Sequence, residues 1–208
     1  MTSDPTRFAD RNVHGRRKDR ADHEGTLQDT PHGDDWRLRS SPSLGERPSG
    51  EGVALNIGVI SDTHGLLRPE AAKALQHCDL ILHAGDVGSQ QVLDALGELA
   101  PMIAVRGNCD EGDWAQRLEA VQIVTLAALS IYLIHDLKDI DPGAAAGCRV
   151  VISGHTHKPR SEAIEGVLYL NPGSAGRRRF KLPITLARLA VDRDRVSAEV
   201  IHLAASGD

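Results

Sequence analysis

The stretch ALNIGVISDTH, residues 54–64, decides the fold, because an apolar run stops at Asp62 and His64, two residues able to bind a metal ion. An apolar run of this length is typical of a buried β-strand, and we predict the first strand over residues 54–61. From Val53 onward, similar short runs alternate with amphipathic segments. This alternation indicates strands joined by helical crossovers.

The segments that follow repeat this pattern twice. Pro69 stands at a favourable first helical position, and a second amphipathic helix is predicted over residues 90–99. Strands are predicted over residues 80–84, 102–105, 121–126, 129–135, 149–153, 162–170, 184–191 and 196–202, with a hairpin turn before the last. One sheet of so many strands would be large. The predicted fold class is therefore α/β, with two packed sheets flanked by helices.

The composition limits the classes of protein to consider. A chain of 208 residues suffices for one well-packed domain with an appendage. The formal net charge of −5 provides no overall basic field, so there is no strong evidence for a nucleic-acid partner. The three cysteines, Cys78, Cys109 and Cys148, suit reduced thiols better than a disulfide framework. Without a membrane-length apolar span or a signal peptide, we expect a cytoplasmic protein with no membrane contact.

Residues 1–52 differ from the rest in being rich in charged residues, proline and glycine and poor in apolar ones. Such a segment buries too little surface to offset the entropy of ordering it, so we predict a disordered or poorly ordered extension. Its basic run at residues 16–20 is interrupted by Asp19 and is interpreted as solvated. The folded domain is predicted over residues 53–205. An alternative hypothesis places the natural start near Val53, where the folded pattern begins.

Five of the apolar runs are followed by side chains that can bind metals. In chain order these side chains are Asp62, His64, Asp86, Asn108, Asp110, His135, His155 and His157. Each has an ordinary alternative as a helix cap, a turn residue or a core histidine. Independent caps and turns, however, have no reason to collect carboxylates, an amide and imidazoles at successive strand ends. Because ligands bind at the carboxyl ends of strands in open α/β sheets, we expect these residues to meet in one cleft.

Seven ligands are too many for one zinc-like ion but suit a pair of ions that share a carboxylate. The division we predict gives one ion Asp62, His64 and His157, gives the other Asn108, His135 and His155, and makes Asp86 the bridge. Two such ions can polarise a phosphoryl group and supply a bridging hydroxide as nucleophile. The mixed ligand set fits Mn²⁺, Fe²⁺, Co²⁺, Ni²⁺ or Zn²⁺.

The order of these motifs resembles the calcineurin-like metallophosphoesterases. The resemblance rests on Asp62-x-His64, Gly85-Asp86, Gly107-Asn108-x-Asp110, His135 and Gly154-His155-x-His157, and it spans residues 53–203. It implies a four-layer αββα sandwich of two mixed β-sheets, with a dinuclear site at the carboxyl ends of strands. The sequence NPGS at residues 171–174 further resembles the small single-domain phosphodiesterase branch of bacteria and archaea.

The resemblance also implies an activity. We expect a metal-dependent phosphodiesterase that hydrolyses a small or nucleotide-like phosphodiester, with two divalent ions, Mn²⁺ first among them. The implied catalytic residues are Asp86, Asn108, Cys109 and Asp110, with Asn108 placing the phosphate and Arg177 as a further substrate-binding candidate. The alternatives are a weakly active or inactive scaffold for protein interaction, and a phosphomonoesterase. A homo-oligomer is possible on the sequence alone.

Cys109 is the main departure from the family pattern, since many relatives have histidine directly after the asparagine. A thiol with a reference pKa of about 8.5 is a poor substitute for imidazole as a general acid at neutral pH. We therefore expect a slow enzyme that prefers good leaving groups. His135 also departs, being followed by Asp136 and Leu137 where relatives often have Gly-His. Arg177 opens a run of three arginines that reaches toward a second phosphate or forms a solvated loop.

Overall fold

The computed structural model describes residues 54–126 and 129–204, which form two β-sheets with few helices. The predictions for residues 1–52 lie outside the described residues. The strands are β1 (Leu55–Ile60), β2 (Leu80–His83), β3 (Met102–Ala104), β4 (Val121–Leu126), β5 (Leu129–Ile134), β6 (Val150–Ile152), β7 (Arg160–Ile164), β8 (Val167–Asn171), β9 (Thr185–Asp192) and β10 (Arg195–His202). The helices are α1 (Pro69–Leu75), α2 (Gln90–Gly97) and α3 (Asp113–Gln116), with a 3₁₀ helix at Leu137–Asp139.

The two sheets have five strands each and are both mixed. The first has the order β10-β9-β1-β2-β3, in which β1, β2 and β3 are parallel and β9 runs antiparallel to its neighbours. The second has the order β4-β5-β6-β8-β7, in which β5, β6 and β8 are parallel. The predicted βαβ steps are β1-α1-β2 and β2-α2-β3. The prediction of an α/β fold with two mixed sheets is confirmed.

Successive side chains of the central strands point alternately into two layers of hydrophobic core. Ile57 and Val59 of β1 face the second sheet, where they pack in one cluster with residues such as Ile131 and Ile152. Ile60 belongs instead to the cluster formed with α1 and α2, which contribute buried residues including Leu75. The parallel strands are therefore covered on both faces, as their nearly continuous apolar sequences require.

The outer face of the second sheet is covered differently from the first. Tyr132 and Ile134 of β5 pack there against Leu137 and Ile140, in and directly after the 3₁₀ helix. A short 3₁₀ turn and its flanking loop therefore form this layer, where the αββα pattern leads one to expect an α-helix.

Pro69 begins α1, as predicted. The N–H group of a first helical residue has no partner within the helix, so proline, which lacks this group, loses no hydrogen bond there.

One predicted strand is wrong in its extent. Residues 162–170 were expected to form a single strand, but the structure has two antiparallel strands, β7 and β8, joined at Glu165 and Gly166. Both turn residues have positive φ, 50° and 82°. A two-residue turn of this kind matches the twist of the flanking strands, and glycine adopts one of the two positive φ angles without steric cost. The predicted turn between β9 and β10 is confirmed, with Arg193 at a φ of 56°.

The helices of the described residues are all too short, and insufficiently apolar, to cross a lipid bilayer. The longest, α2, has 8 residues. His83 is fully buried in β2, and Cys78 lies in the cluster beside α1. Trp114 packs against the same cluster.

Gly58 provides a test of the packing between β1 and α1. A Cβ atom at Gly58 would collide with Cδ2 of Leu75 and lie 3.1 Å from Sγ of Cys78, both of them buried. We expect Gly58→Ala to lower the free energy of unfolding by about 1–3 kcal/mol, as overpacking of a core does. Chemical denaturation measures it. Gly97→Ala at the end of α2 is the matched control, because nothing lies within 4 Å of its Cβ, and we expect it to be neutral or stabilising. Equal losses in both variants would contradict the packing explanation.

Candidate metal centre

The seven predicted ligands come together at one end of the two sheets. Asp62 and His64 follow β1, Asp86 follows β2, and Asn108 follows β3. The second sheet supplies the remaining three: His135 follows β5, and His155 and His157 follow β6. Parallel strands place their carboxyl ends at the same edge, so residues far apart in the chain become neighbours.

A first cluster consists of Asp62, His64 and His157. Nε2 of His157 lies 3.1 Å from Oδ1 of Asp62 and 3.4 Å from Nε2 of His64. One ligand atom from each residue lies within 4.8 Å of the others. Burial lowers the pKa of His64 and favours the neutral imidazole, which is the form that binds a metal. This is the set of residues that the sequence assigned to one ion.

A second cluster is centred on Asn108. Its Oδ1 lies 3.1 Å from Nε2 of His135 and 3.0 Å from Nδ1 of His155. Nδ1 of His135 donates a hydrogen bond to the carbonyl oxygen of Ala84 at 2.7 Å. In the neutral ring this bond fixes the tautomer and leaves Nε2 with a free lone pair facing the cluster. The second predicted group of three is thus also assembled.

Asp86 lies between the two clusters. Its Oδ2 is 3.8 Å from Nε2 of His64, and its Oδ1 is 3.4 Å from Nε2 of His135. Burial opposes ionisation of Asp86, but hydrogen bonds from the protonated ring of His135 and from the backbone N–H of Cys109 outweigh it and hold the pKa of Asp86 well below the usual range. A carboxylate with one oxygen toward each cluster has the placement that a bridging ligand needs.

The donor set passes a direct test of fit for cations. Oδ1 of Asp62 is buried and accepts no hydrogen bond within the described residues, although Nε2 of His157 is only 3.1 Å away. Asp62 and Asp86 together with His135 form a further buried group with ligand atoms within 4.8 Å. Buried carboxylates are costly unless paired with positive charge, so these residues fit divalent ions. Burial lowers the pKa of His135, but the bonds to Asp86 and Ala84 raise it overall, so a metal ion competes there with a proton.

The backbone at the centre is held in an unusual conformation. Five of the predicted ligands have positive φ: Asp62 (55°), His64 (46°), Asp86 (53°), His155 (65°) and His157 (58°). This left-handed region is uncommon outside glycine, but Asp and His enter it more readily than most residues. Backbone strain of this kind collects at functional sites, where the surrounding structure enforces it.

Two glycines allow the loops to approach one another. A Cβ at Gly107 would collide with the backbone N and Oδ1 of Asp86. A Cβ at Gly154 would collide with Oγ of Ser61 and lie 2.9 Å from Oδ2 of Asp62. These close contacts show why a side chain does not fit at either position.

Asp110 has a different placement from the other predicted site residues. Its carboxylate accepts hydrogen bonds from the backbone N–H groups of Gly88 and Gly107, both at 2.8 Å. It therefore ties the loop that carries Asn108 to the loop that follows Asp86. These two hydrogen bonds suit Asp110 to hold the loops in position.

Cys109 lies at the edge of the centre and is exposed to solvent. Its sulfur belongs to a group with His64 and Asp86 whose ligand atoms lie within 4.8 Å. Burial, together with the hydrogen bond and charge of Asp86, raises the pKa of Cys109, so the thiol stays protonated at neutral pH.

The sequence analysis missed several supporting residues. Oγ of Ser61 donates a 2.6 Å hydrogen bond to Oδ2 of Asp62, and Oγ of Ser174 donates to the backbone oxygen of Asp62 at 3.0 Å. Nδ2 of Asn171 donates to the carbonyl oxygen of Gly154 at 2.6 Å. The NPGS motif was noticed only as a family marker, and the buried serine directly after β1 was the remaining available signal.

The basic run at residues 177–179 lies at the surface. Arg177, the substrate-binding candidate, is exposed. The positive charge of Arg179 is a minor influence that lowers the pKa of His64 and of Cys109, after burial and the charges of nearer groups.

A two-sheet α/β domain with carboxylate, amide and imidazole ligands at strand ends defines a class of metal-dependent hydrolases. Comparison with known proteins agrees with this class. A family model described as the calcineurin-like phosphoesterase superfamily domain matches residues 55–194. A probable metallophosphoesterase of Methanothermobacter thermautotrophicus is 35% identical over 164 residues, covering 72% of this chain and 93% of that protein.

Solved structures show the same fold. Vacuolar Protein Sorting 29 from Cryptosporidium parvum superposes with a TM-score of 0.63 at 22% identity, covering 74% of this chain and 94% of that one. A structure described as a novel archaeal phosphodiesterase gives a TM-score of 0.59 at 25% identity, covering 71% and 100%. The chain belongs to the calcineurin-like phosphoesterase superfamily. It is a metallophosphoesterase, and the fold implies bound divalent metal ions.

Ser61 tests how the structure orients a metal ligand. Ser61→Ala removes the hydrogen bond to Asp62 while leaving every predicted ligand in place. We expect metal affinity to fall by about 10- to 100-fold, the usual effect of losing a partner that orients a ligand. Calorimetric titration of metal-free protein with Mn²⁺ measures it. Ser197→Ala on the exposed side of β10 is the control and should bind as the parent does. Equal affinity in both variants would exclude a role for Ser61.

Proposed function

We propose that this protein is a metal-dependent phosphodiesterase, which hydrolyses a small or nucleotide-like phosphodiester at a centre of two divalent ions. The observation that carries the proposal is the division of the predicted ligands into two clusters with Asp86 between them. The first ion would be held by Asp62, His64 and His157, and the second by Asn108, His135 and His155. When bound, such ions polarise the phosphoryl group and lower the pKa of water.

The residues of the centre keep the charge states that this activity requires. Asp86 remains ionised because the hydrogen bonds it accepts outweigh its burial. Oδ1 of Asn108 faces two imidazoles, which leaves its Nδ2 for a phosphate oxygen; in the structure that amide donates to Sγ of Cys109 at 3.3 Å. His155 is partly exposed and marks the open side, where a substrate enters.

The identity of the metal belongs to the proposal as well. Imidazole, carboxylate and amide ligands together suit Mn²⁺, our first expectation, and also Fe²⁺, Co²⁺, Ni²⁺ and Zn²⁺. We also place the activity in the cytoplasm, which agrees with three cysteines that are all free, two of them buried.

Cys109 favours diesters with good leaving groups over monoesters. The thiol has a raised pKa and stands where many relatives have histidine, so it is a weak general acid. An ester oxygen that leaves readily needs no proton donor. This residue therefore supports the diesterase over a phosphomonoesterase in the same cleft.

A scaffold for protein interaction is the alternative of another class. The likeness to Vacuolar Protein Sorting 29 concerns the fold alone, since only 22% of residues are identical. A scaffold has no need of intact metal ligands, whereas here all seven predicted positions carry competent side chains in two clusters. The ligand set supports the enzyme.

Substitution of the central ligands tests the proposal. Asp86→Ala and His155→Ala should each lower turnover of a bis-aryl phosphate with Mn²⁺ by at least about 10³-fold, because each removes charge stabilisation at the reacting phosphate. Steady-state kinetics and circular dichroism are measured together, so that loss of folding is recognised. Asp194→Ala and His202→Ala are matched controls at exposed positions and should keep full activity. Full activity in Asp86→Ala would refute the mechanism.

The lack of a histidine at position 109 to act as a general acid provides a second test. Cys109→His places an imidazole beside Asp86 and should raise kcat/KM for diesters with poor leaving groups by roughly 10- to 100-fold, within the range of general acid catalysis. Good leaving groups should gain little. The comparison uses a series of aryl diesters of increasing leaving-group pKa, with the pH–rate profile of each. An unchanged profile and an unchanged leaving-group dependence would show that proton donation does not limit the rate.

A further inference from the structure

A short basic loop at residues 177–181, with the sequence RRRFK, projects beside the metal centre. All five of its residues are exposed, and the Phe180 side chain is 94% exposed. We call these residues the RRRFK loop. Among the large apolar side chains of the described residues, Phe180 is the most exposed, which makes it a poor candidate for a packing role.

The leading side of the loop is hydrogen-bonded to the strand end that carries Asp62, and the returning side is hydrogen-bonded to that leading side. The backbone N–H of Ala175 donates to the carbonyl oxygen of Ser61 at 3.1 Å, and Oγ of Ser174 donates to that of Asp62 at 3.0 Å. On the returning side, the N–H of Thr185 donates to the carbonyl oxygen of Ser174 at 2.9 Å. The loop is therefore held at a fixed place relative to the first cluster of ligands.

The root of the loop is packed as well as hydrogen-bonded. A Cβ at Gly176 would collide with the carbonyl oxygen of Thr63 and lie 2.7 Å from that of Asp62. Nε of Arg68, a buried arginine, donates to the carbonyl oxygen of Gly176 at 2.9 Å. The close approach explains why glycine precedes the first arginine of the loop.

The loop concentrates positive charge in a protein that is acidic overall. The sequence has no Asp or Glu from residue 166 to residue 191. Within the described residues, none of the four cations of the loop forms an ion pair. The loop begins directly after Gly176, whose backbone packs against the carbonyl oxygens of Thr63 and Asp62, so its positive charge lies beside the first cluster of ligands. Unpaired guanidinium groups beside a phosphate-binding centre suit a second anionic group of the substrate.

Phe180 adds an aromatic face to this charge. Its backbone has a φ of 53°, a conformation that is a true outlier for a bulky residue. The hydrogen bond from the N–H of Leu182 to the carbonyl oxygen of Arg179, at 3.1 Å, closes the turn around it. A strained backbone that presents a ring to solvent is compatible with a binding role.

We propose that the RRRFK loop is a substrate-recognition element that selects nucleotide diesters with at least one further phosphate. In this arrangement Phe180 stacks on a base and Arg179 binds the additional phosphate, while the reacting phosphate lies at the metal centre. The inference rests on the proposed phosphodiesterase activity, since it names the substrate class of that site. Aromatic rings with arginine are the usual means of holding unpaired nucleotides.

The loop fits a short nucleotide better than an extended partner. The net charge of −5 provides no overall basic field that would attract a long nucleic acid. An anionic membrane surface would also attract a basic loop with an exposed ring. The experiment separates that possibility from nucleotide binding.

Two dinucleotides and a small diester form the test. The substrates are a deoxyadenosine dinucleotide with a terminal phosphate, the same dinucleotide without it, and methyl para-nitrophenyl phosphate, each with Mn²⁺. The quantity compared is the ratio of kcat/KM for a dinucleotide to that for the methyl diester. We expect Phe180→Ala to lower this ratio roughly 5- to 100-fold for both dinucleotides, the range of base stacking. Arg179→Gln should lower it about tenfold or more, and only for the phosphorylated dinucleotide.

Matched controls stand on other parts of the protein. Ile123→Ala removes another exposed apolar side chain, on β4, and Arg193→Gln removes an exposed arginine from the β9–β10 turn. Because β9 runs antiparallel to β1, that turn lies at the edge opposite the metal centre. Neither control should change the ratio. Unchanged ratios in Phe180→Ala and Arg179→Gln would overturn the inference. It would also be overturned if the sole defect of these two variants were weaker binding to anionic phospholipid vesicles.

A binding measurement keeps this inference separate from the proposed activity. A fluorescent phosphorothioate-linked dinucleotide with a terminal phosphate is titrated with the full-length protein and followed by anisotropy. If no diester is hydrolysed with any divalent metal, the proposed function fails. The loop inference then still predicts binding that weakens roughly 5- to 100-fold in Phe180→Ala. Absence of binding by the parent protein would overturn it.

Discussion

Two buried carboxylates held close together are the constraint on which the rest of this structure depends. Asp62 and Asp86 are almost entirely shielded from solvent, and they share a group with His135 in which ligand atoms lie within 4.8 Å. Negative charge in such a place is costly unless cations or hydrogen bonds offset it. Hydrogen bonds do part of this: Ser61 and the N–H of His155 donate to Asp62, and the N–H of Cys109 donates to Asp86. They leave one oxygen of Asp62 that accepts no hydrogen bond from any described residue, and four imidazoles lie around the two carboxylates. Divalent ions occupy environments of this kind.

The strained backbone at the centre follows from the same constraint. Ligands must turn sharply out of their strands to face one another, and left-handed residues at Asp62, His64 and Asp86 achieve this. Each costs on the order of 1–3 kcal/mol for an ordinary residue and less for Asp or His. Backbone hydrogen bonds between the loops hold the conformation, including Asp62 N–H to Gly85 O at 3.0 Å and Gly65 N–H to Val87 O at 2.8 Å. These loops follow neighbouring parallel strands, β1 and β2, whose register is fixed by the core on both faces. The apolar layers therefore stabilise the geometry of the polar centre.

The sequence was most informative where a single physical rule determined the outcome. Short apolar runs in the sequence predict buried strands, so both sheets could be anticipated. The seven predicted ligands follow these runs directly, so their convergence could be anticipated as well. The turn between β7 and β8 could not, because Glu165-Gly166 is a weaker turn signal than Asn-Gly and the apolar pattern continues through it. The placement of the basic loop was also beyond the sequence, because no spacing rule shows that Gly176 packs against the carbonyl oxygens of Thr63 and Asp62. The role of Ser61 depends on a contact with the next side chain that no spacing rule specifies.

A single histidine can supply both a positive charge and a proton. In this protein the two properties belong to two different residues, Arg179 and Cys109. Where many relatives have imidazole after the asparagine, Cys109 has a thiol that burial and Asp86 keep protonated and uncharged. Arg179, in the basic loop beside the centre, carries a permanent positive charge. A guanidinium can stabilise negative charge on a phosphate, but it does not release a proton at any physiological pH. In the phosphodiesterase we propose, binding of the reacting group would thus be supported while protonation of the leaving oxygen would not. The rate of that reaction would depend on how well the leaving group carries its own charge, and selectivity would fall to contacts away from the reacting phosphate, where the exposed basic loop lies.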